Sequence, residues 1–191
     1  AVAIGRIAQA SGPLLVRTGQ GGWVALPPGA GLVPGQAVRT GGRTQAEIEL
    51  GADRIGLDPD TILRLDGASP GGFAATLEQG RAMLLVRGLQ PGQTVQVAIP
   101  RASVTLGQPG LYVIDTGDAV RPATIGTSRG LAQVFGPGVS LAVPPGATAV
   151  LPLGGQPGLR AGVAEGFLAD DPMPAVPLPG VVTPSSGYVP G

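Results

Sequence analysis

The chain has 191 residues with 12 basic against 12 acidic side chains, and 43% of it is hydrophobic. That suits one packed domain with a tail and leaves no electrostatic footprint for nucleic acid or an anionic membrane. Cysteine and histidine are absent and every basic residue is arginine, which excludes disulfides, Cys/His zinc centres, thiol nucleophiles, Schiff-base lysines and Ser-His-Asp catalysis.

The 34 glycines and 21 prolines bring the chain close to low-complexity composition, but its apolar content predicts a packed protein with very many turns. It opens Ala1-Val2-Ala3-Ile4, with neither an initiator Met nor a basic leader. A chain cut behind small residues by a signal peptidase begins this way, so the sequence predicts an exported mature protein, periplasmic or extracellular. No apolar run reaches the roughly 18 residues of a membrane helix. TGQGG at 18–22 precedes Trp23 and a strand-like run, whereas a phosphate loop feeds a helix, so it is read as a hairpin loop.

QAEIEL at 45–50 puts Ala46, Ile48 and Leu50 on one face and Gln45, Glu47 and Glu49 on the other, the period of a half-buried strand. Glu47 and Glu49 are then solvated, with Arg39 or Arg43 as cross-sheet partners. Asp53, Asp58, Asp60 and Asp66 form the densest acidic group, but calcium-loop spacing is missing and Asp beside Pro is ordinary turn chemistry. AMLLVR at 82–87 reads as a strand covered on both faces. TVQVAI, ASVTL, LYVID and LAQVF continue the strand pattern to residue 135. Trp23 and Tyr112 are expected as buried bodies with polar tips.

Pro-Gly pairs at 28–29, 34–35, 91–92, 109–110, 137–138 and 145–146 punctuate these runs; Pro presets φ and Gly accepts a positive φ, favouring type II turns. Turns so closely spaced predict an all-β fold. ALPPGAGLV echoes AVPPGATAV, and VPGQAV echoes PGQTVQV, at unequal intervals that suggest one turn solution reused rather than a tandem repeat. Residues 154–171 read as an irregular connection. Residues 172–191 hold Pro172, Pro174, Pro177, Pro179, Pro184 and Pro190, too many for a sheet ladder. Its apolar Met173, Val176, Leu178, Val181, Val182, Tyr188 and Val189 either pack back on the sheet or dock onto a partner.

The succession through Trp23, Leu32, Gly35, Val38, Arg39, Thr40, Ala46, Ile48, Leu50, Ile55, Leu57, Thr61, Leu63 and Leu65 resembles a FecR-type domain. LEQGRAMLLV, VQVAIPRASVTL, PGLYVID and VFGPGVSLAVPPGATAVL follow in the same order, so the likeness covers roughly residues 2–153. The resemblance implies an extracytoplasmic β-solenoid or β-roll of short strands, with a β-sandwich as the alternative, over residues 1–153. It also implies protein binding without catalysis, cofactor or metal, as a scaffold or accessory subunit of a larger assembly. Alternatives are a surface or filament subunit assembling by exchange of terminal segments, a FecR-type signalling regulator, and an envelope-carbohydrate binder. Sheet edges need capping, which makes Val2, Ile4 and Ile7 at one end and Val176, Leu178, Val181, Val182 and Tyr188 at the other the expected protein interface.

Overall fold

The structure is a computed structural model and describes residues 2–69 and 72–164. Its strands are β1 (Gly5–Ala10), β2 (Leu14–Thr18), β3 (Val24–Leu26), β4 (Gly31–Leu32), β5 (Gln36–Thr40) and β6 (Ala46–Leu50). β7 (Asp53–Leu57), β8 (Ile62–Ser69), β9 (Gly72–Gln79), β10 (Arg81–Val86), β11 (Val95–Ile99) and β12 (Ala102–Leu106) follow. The last are β13 (Gly110–Asp115), β14 (Ala123–Arg129), β15 (Ala132–Gly136), β16 (Val139–Val143), β17 (Ala147–Leu151) and β18 (Gly158–Ala161). No helix occurs among the described residues, as the turn spacing predicts.

The strands form two open nine-stranded sheets, β18-β17-β14-β13-β10-β7-β6-β1-β4 and β16-β15-β12-β11-β9-β8-β5-β2-β3. We call them the first and second sheet. From β5 onward the chain crosses from one sheet to the other every one or two strands and advances in the same direction along both. Pairing among the described strands is antiparallel except β9 with β11. β18 extends the first sheet by pairing with β17, within the stretch expected as an irregular connection. Residues 172–191 lie outside the described residues.

Alternation sets the core. Ala46, Ile48 and Leu50, then Val95, Val97 and Ile99, then Val104 and Leu106 are all buried in one cluster that both sheets enclose. β10 is covered on both faces: Ala82, Leu84 and Val86 join that core, while Met83 and Leu85 join a second cluster with Leu111 and Val113. Thr127 faces the core opposite Tyr112 and Ala147, and its buried Oγ1 has no hydrogen-bond partner. A buried hydroxyl without a partner is a net cost, so Thr127→Val is expected to raise stability by about 1 kcal/mol, measured as a higher thermal midpoint.

The recurring phrases are recurring turns. In five of the six Pro-Gly pairs singled out above, the glycine has positive φ, from 72° at Gly138 to 92° at Gly35. The exception, Gly110, opens β13. In both PGQ phrases the glutamine closes the turn twice. Gln36 N–H donates to the Val33 carbonyl (3.2 Å) and its side chain accepts the Val33 N–H (2.9 Å). Gln93 does the same with Gln90 at 3.0 and 2.8 Å. Each PPGA turn likewise sends a glycine N–H into the first sheet, Gly29 to Ile7 and Gly146 to Thr127. Repetition in the sequence thus reflects repeated local hydrogen bonding at the sheet crossings.

Buried threonines tie those crossings together. The Thr40 Oγ1 donates to the Asp58 carbonyl (2.7 Å) and accepts the Thr61 N–H (2.9 Å). The Thr61 Oγ1 accepts the Arg81 N–H (3.1 Å), and the Thr116 Oγ1 accepts the Gly80 N–H (3.1 Å).

Candidate functional site

The four sheet edges are unequal. At one end, β3 has three residues and β4 two, and very short edge strands offer little backbone to another chain. At the opposite end lie β16, five residues with the uncharged sequence VSLAV, and β18, four residues all exposed. β16 pairs with β15 through every residue from Val139 to Val143, and no described strand lies on its other side. An uncharged, unpaired strand of that length is the geometry that accepts an added strand.

Apolar side chains mark the same end. Phe135, opposite Ser140 of β16, is 43% exposed; Leu159 of β18 is 47% and Leu153 after β17 is 54%. Arg101, in the turn between β11 and β12, fastens this corner by donating to the carbonyls of Asp118 (2.7 Å) and Leu151 (3.3 Å). Asp118 accepts the N–H groups of Val120 and Arg121 at 2.8 Å each. The Val120 amide, then the Arg121 guanidinium and the Arg121 amide, hold its carboxyl below the usual aspartate range.

The residues expected at an interface are scattered. Val2 is 83% exposed. Ile4 is half-buried against the core, and its N–H bonds the Leu32 carbonyl. Ile7 is fully buried and has no side-chain surface for a partner, because β1 lies inside the first sheet, flanked by β4 and β6. Val176, Leu178, Val181, Val182 and Tyr188 lie outside the described residues.

Three of the four acidic candidates, and both Trp23 and Tyr112, have structural partners. Asp53 caps the Arg87 and Gly88 amides (2.7 and 2.9 Å), Asp58 pairs with Arg81 (3.0 Å) and Asp66 with Arg64 (2.6 Å). The hydrogen bond to Asp66, outweighing burial, raises the Arg64 pKa. Among the described residues no group of three or more acidic side chains is placed to hold a metal ion.

Glu47 and Glu49 pair with Arg54 and Arg6 rather than Arg39 or Arg43, because β6 lies between β1 and β7 whereas β5 belongs to the other sheet. Glu47 is nearly buried, not solvated. Tyr112 is buried as expected, whereas Trp23 is only half-buried on the outer side of the second sheet. The Arg17 guanidinium lies 4.6 Å from its ring centroid and is held by Glu78. The groove beside Trp23 is lined by Arg17, Gly35 and Arg64 and by no second aromatic, where sugar platforms use several.

The exposed ends of β16 and β18 were not among the residues that sequence reasoning selected. Their strand patterns are ordinary, and only the spatial order of strands reveals which ones are last in each sheet.

No family model and no curated protein matches the chain. Two crystal structures of a protein from Parabacteroides distasonis ATCC 8503, provisionally named an anti-sigma factor, are similar in fold, with TM-scores of 0.60 and 0.59. Identity is 14% in each case, and the match covers 66% of this chain and 59% of theirs. A likeness at that identity concerns the fold alone.

Proposed function

We propose that this chain is a non-catalytic protein-binding module that works outside the cytoplasm as a scaffold or accessory subunit and recognises a partner by strand addition. The observation that carries this is the uncharged, unpaired β16 beside exposed Phe135. Main-chain hydrogen bonds to an edge supply affinity, and pockets for alternate side chains supply selectivity. The FecR-like succession of motifs supports an exported roll-like domain, and its winding along two sheets suits that architecture.

A photo-crosslinking residue at Ser140 or Ala142, on the β16 edge, is expected to give adducts with a polypeptide in the native host envelope. The same probe at Ser103, on β12 within the second sheet, is expected to give none. Equal adducts at both positions, or none at the edge, would refute strand addition. Adducts only between copies of this chain would turn the proposal into self-assembly. An extracytoplasmic signalling regulator is the second reading, favoured by the name given to the two structural neighbours.

A further inference from the structure

The chain as a whole is neutral, but the outer side of the second sheet is locally cationic around Trp23. Arg17 of β2 pairs with Ala37 of β5, and Ala37 pairs with Arg64 of β8. Arg39, two residues beyond Ala37 on the same strand, faces the same side. The carboxylates that bond these arginines are Glu78 and Asp66. Three cations against two anions leave one positive charge on this face.

The surplus sits at the Trp23 end. Each nitrogen of Arg64 is engaged: Nε donates to Asp66 (2.6 Å), Nη1 to Glu78 (3.3 Å) and Nη2 to Thr76 (3.0 Å). Arg17 uses only Nη2, which donates to both Glu78 oxygens (3.2 and 3.1 Å). Its Nε and Nη1 have no acceptor among the described residues. Arg39 is exposed and has no carboxylate partner among the described residues. Its guanidinium lies 5.9 Å from the Trp23 ring centroid, over the ring that Arg17 approaches at 4.6 Å. A guanidinium held over an aromatic ring keeps its in-plane N–H groups available to an incoming carboxylate. The groove beside them, of about 610 Å³, is bordered by Gly19 and Gly35. A Cβ added at either glycine would meet nothing within 4 Å, so no wall stands between the guanidinium groups and a ligand.

We propose that this groove binds an acidic segment of a partner protein, one carboxylate accepting from both Arg17 and Arg39 beside Trp23. The proposal rests on the reading of the chain as a protein-binding module but not on strand addition. β2, β3 and β5 lie towards the opposite end of the second sheet from β16. Arginines on one ring supply charge complementarity, whereas a sugar would need further rings to stack on.

Trp23 is the one tryptophan of the chain, so its fluorescence reports this groove directly. Titration of the full chain with poly-glutamate at low ionic strength is expected to shift the emission saturably. Salt should reverse the shift, since exposed charges are screened. Arg39→Gln should weaken binding about tenfold and leave the thermal midpoint unchanged. Arg160→Gln, which removes an exposed arginine of β18, should leave binding unchanged. No saturable shift, or equal weakening by the two substitutions, would overturn the proposal. A loss of binding that tracks a lowered midpoint would overturn it too. Tighter binding of poly-galacturonate than of poly-glutamate would make the ligand an acidic glycan and overturn the assignment to a protein. None of these results bears on crosslinking at Ser140 or Ala142, so the groove and the β16 edge stand or fall separately.

Discussion

Replacing Tyr112 with alanine is expected to lower stability by about 3–5 kcal/mol and Tyr112→Phe by about 1–3 kcal/mol. Tyr112 is among the largest fully buried side chains. Its ring fills the core between the two sheets, so truncation removes buried apolar area and leaves a cavity that strands on both sides cannot collapse into. The hydroxyl adds a separate contribution, donating to the Gln108 carbonyl (2.6 Å) and accepting the Leu131 N–H (3.1 Å). It thereby joins the turn before β13 to the start of β15. Phenylalanine keeps the ring but leaves that carbonyl and amide without their partner. Chemical denaturation of the three proteins separates the two contributions.

The same residue makes stability pH-dependent at the alkaline end. Burial raises the Tyr112 pKa, outweighing the Leu131 amide that lowers it. The native state therefore keeps a proton that the unfolded chain releases near pH 10. The stabilisation is complete below that pH and is lost as pH rises through the raised native value. Tyr112→Phe should flatten this alkaline decline. A decline that is unchanged in the phenylalanine variant would assign it to other groups.

Gly80→Ala is expected to cost about 3 kcal/mol, whereas Gly29→Ala should cost about 1–2 kcal/mol. Both glycines have positive φ, 93° and 83°, so both substitutions strain the backbone. The difference lies in what the methyl group meets. At Gly29 it meets nothing within 4 Å, whereas at Gly80 it would lie 2.7 Å from the Thr61 Cα and 2.8 Å from its Cβ. Thr61 is fully buried and bonded to Thr40 and Arg81, so relieving the clash would disturb the threonine hydrogen bonds at the sheet crossing. Equal thermal shifts for the two variants would show that the crossing yields without loss.

Several features were legible in the sequence because they depend on local chemistry. Alternation in QAEIEL and VQVAI fixed which residues face the core, since a strand has period two. The apolar run of β10 announced cover on both faces. The Pro-Gly pairs announced the turns. Even the TGQGG stretch could be assigned, because its neighbours on both sides are strand-like.

Other features depended on which strands become neighbours, which local pattern does not encode. Glu47 and Glu49 found Arg54 and Arg6 because β7 and β1 flank β6. Ile7 became core because its side chain packs in the main cluster that both sheets enclose. Trp23 stayed half-exposed because its indole stacks under Arg17 on the outer side of a sheet. The order of strands, too, left β16 and β18 at the ends of their sheets and brought Val163 against Met83, Leu85, Leu111 and Val113 of β10 and β13. The amino-acid sequence by itself determined the strands, their inward faces and their turns, through short-range sterics and hydrogen bonding. Tertiary structure alone decided the edges and the ion pairs, because these are contacts between segments far apart in the chain.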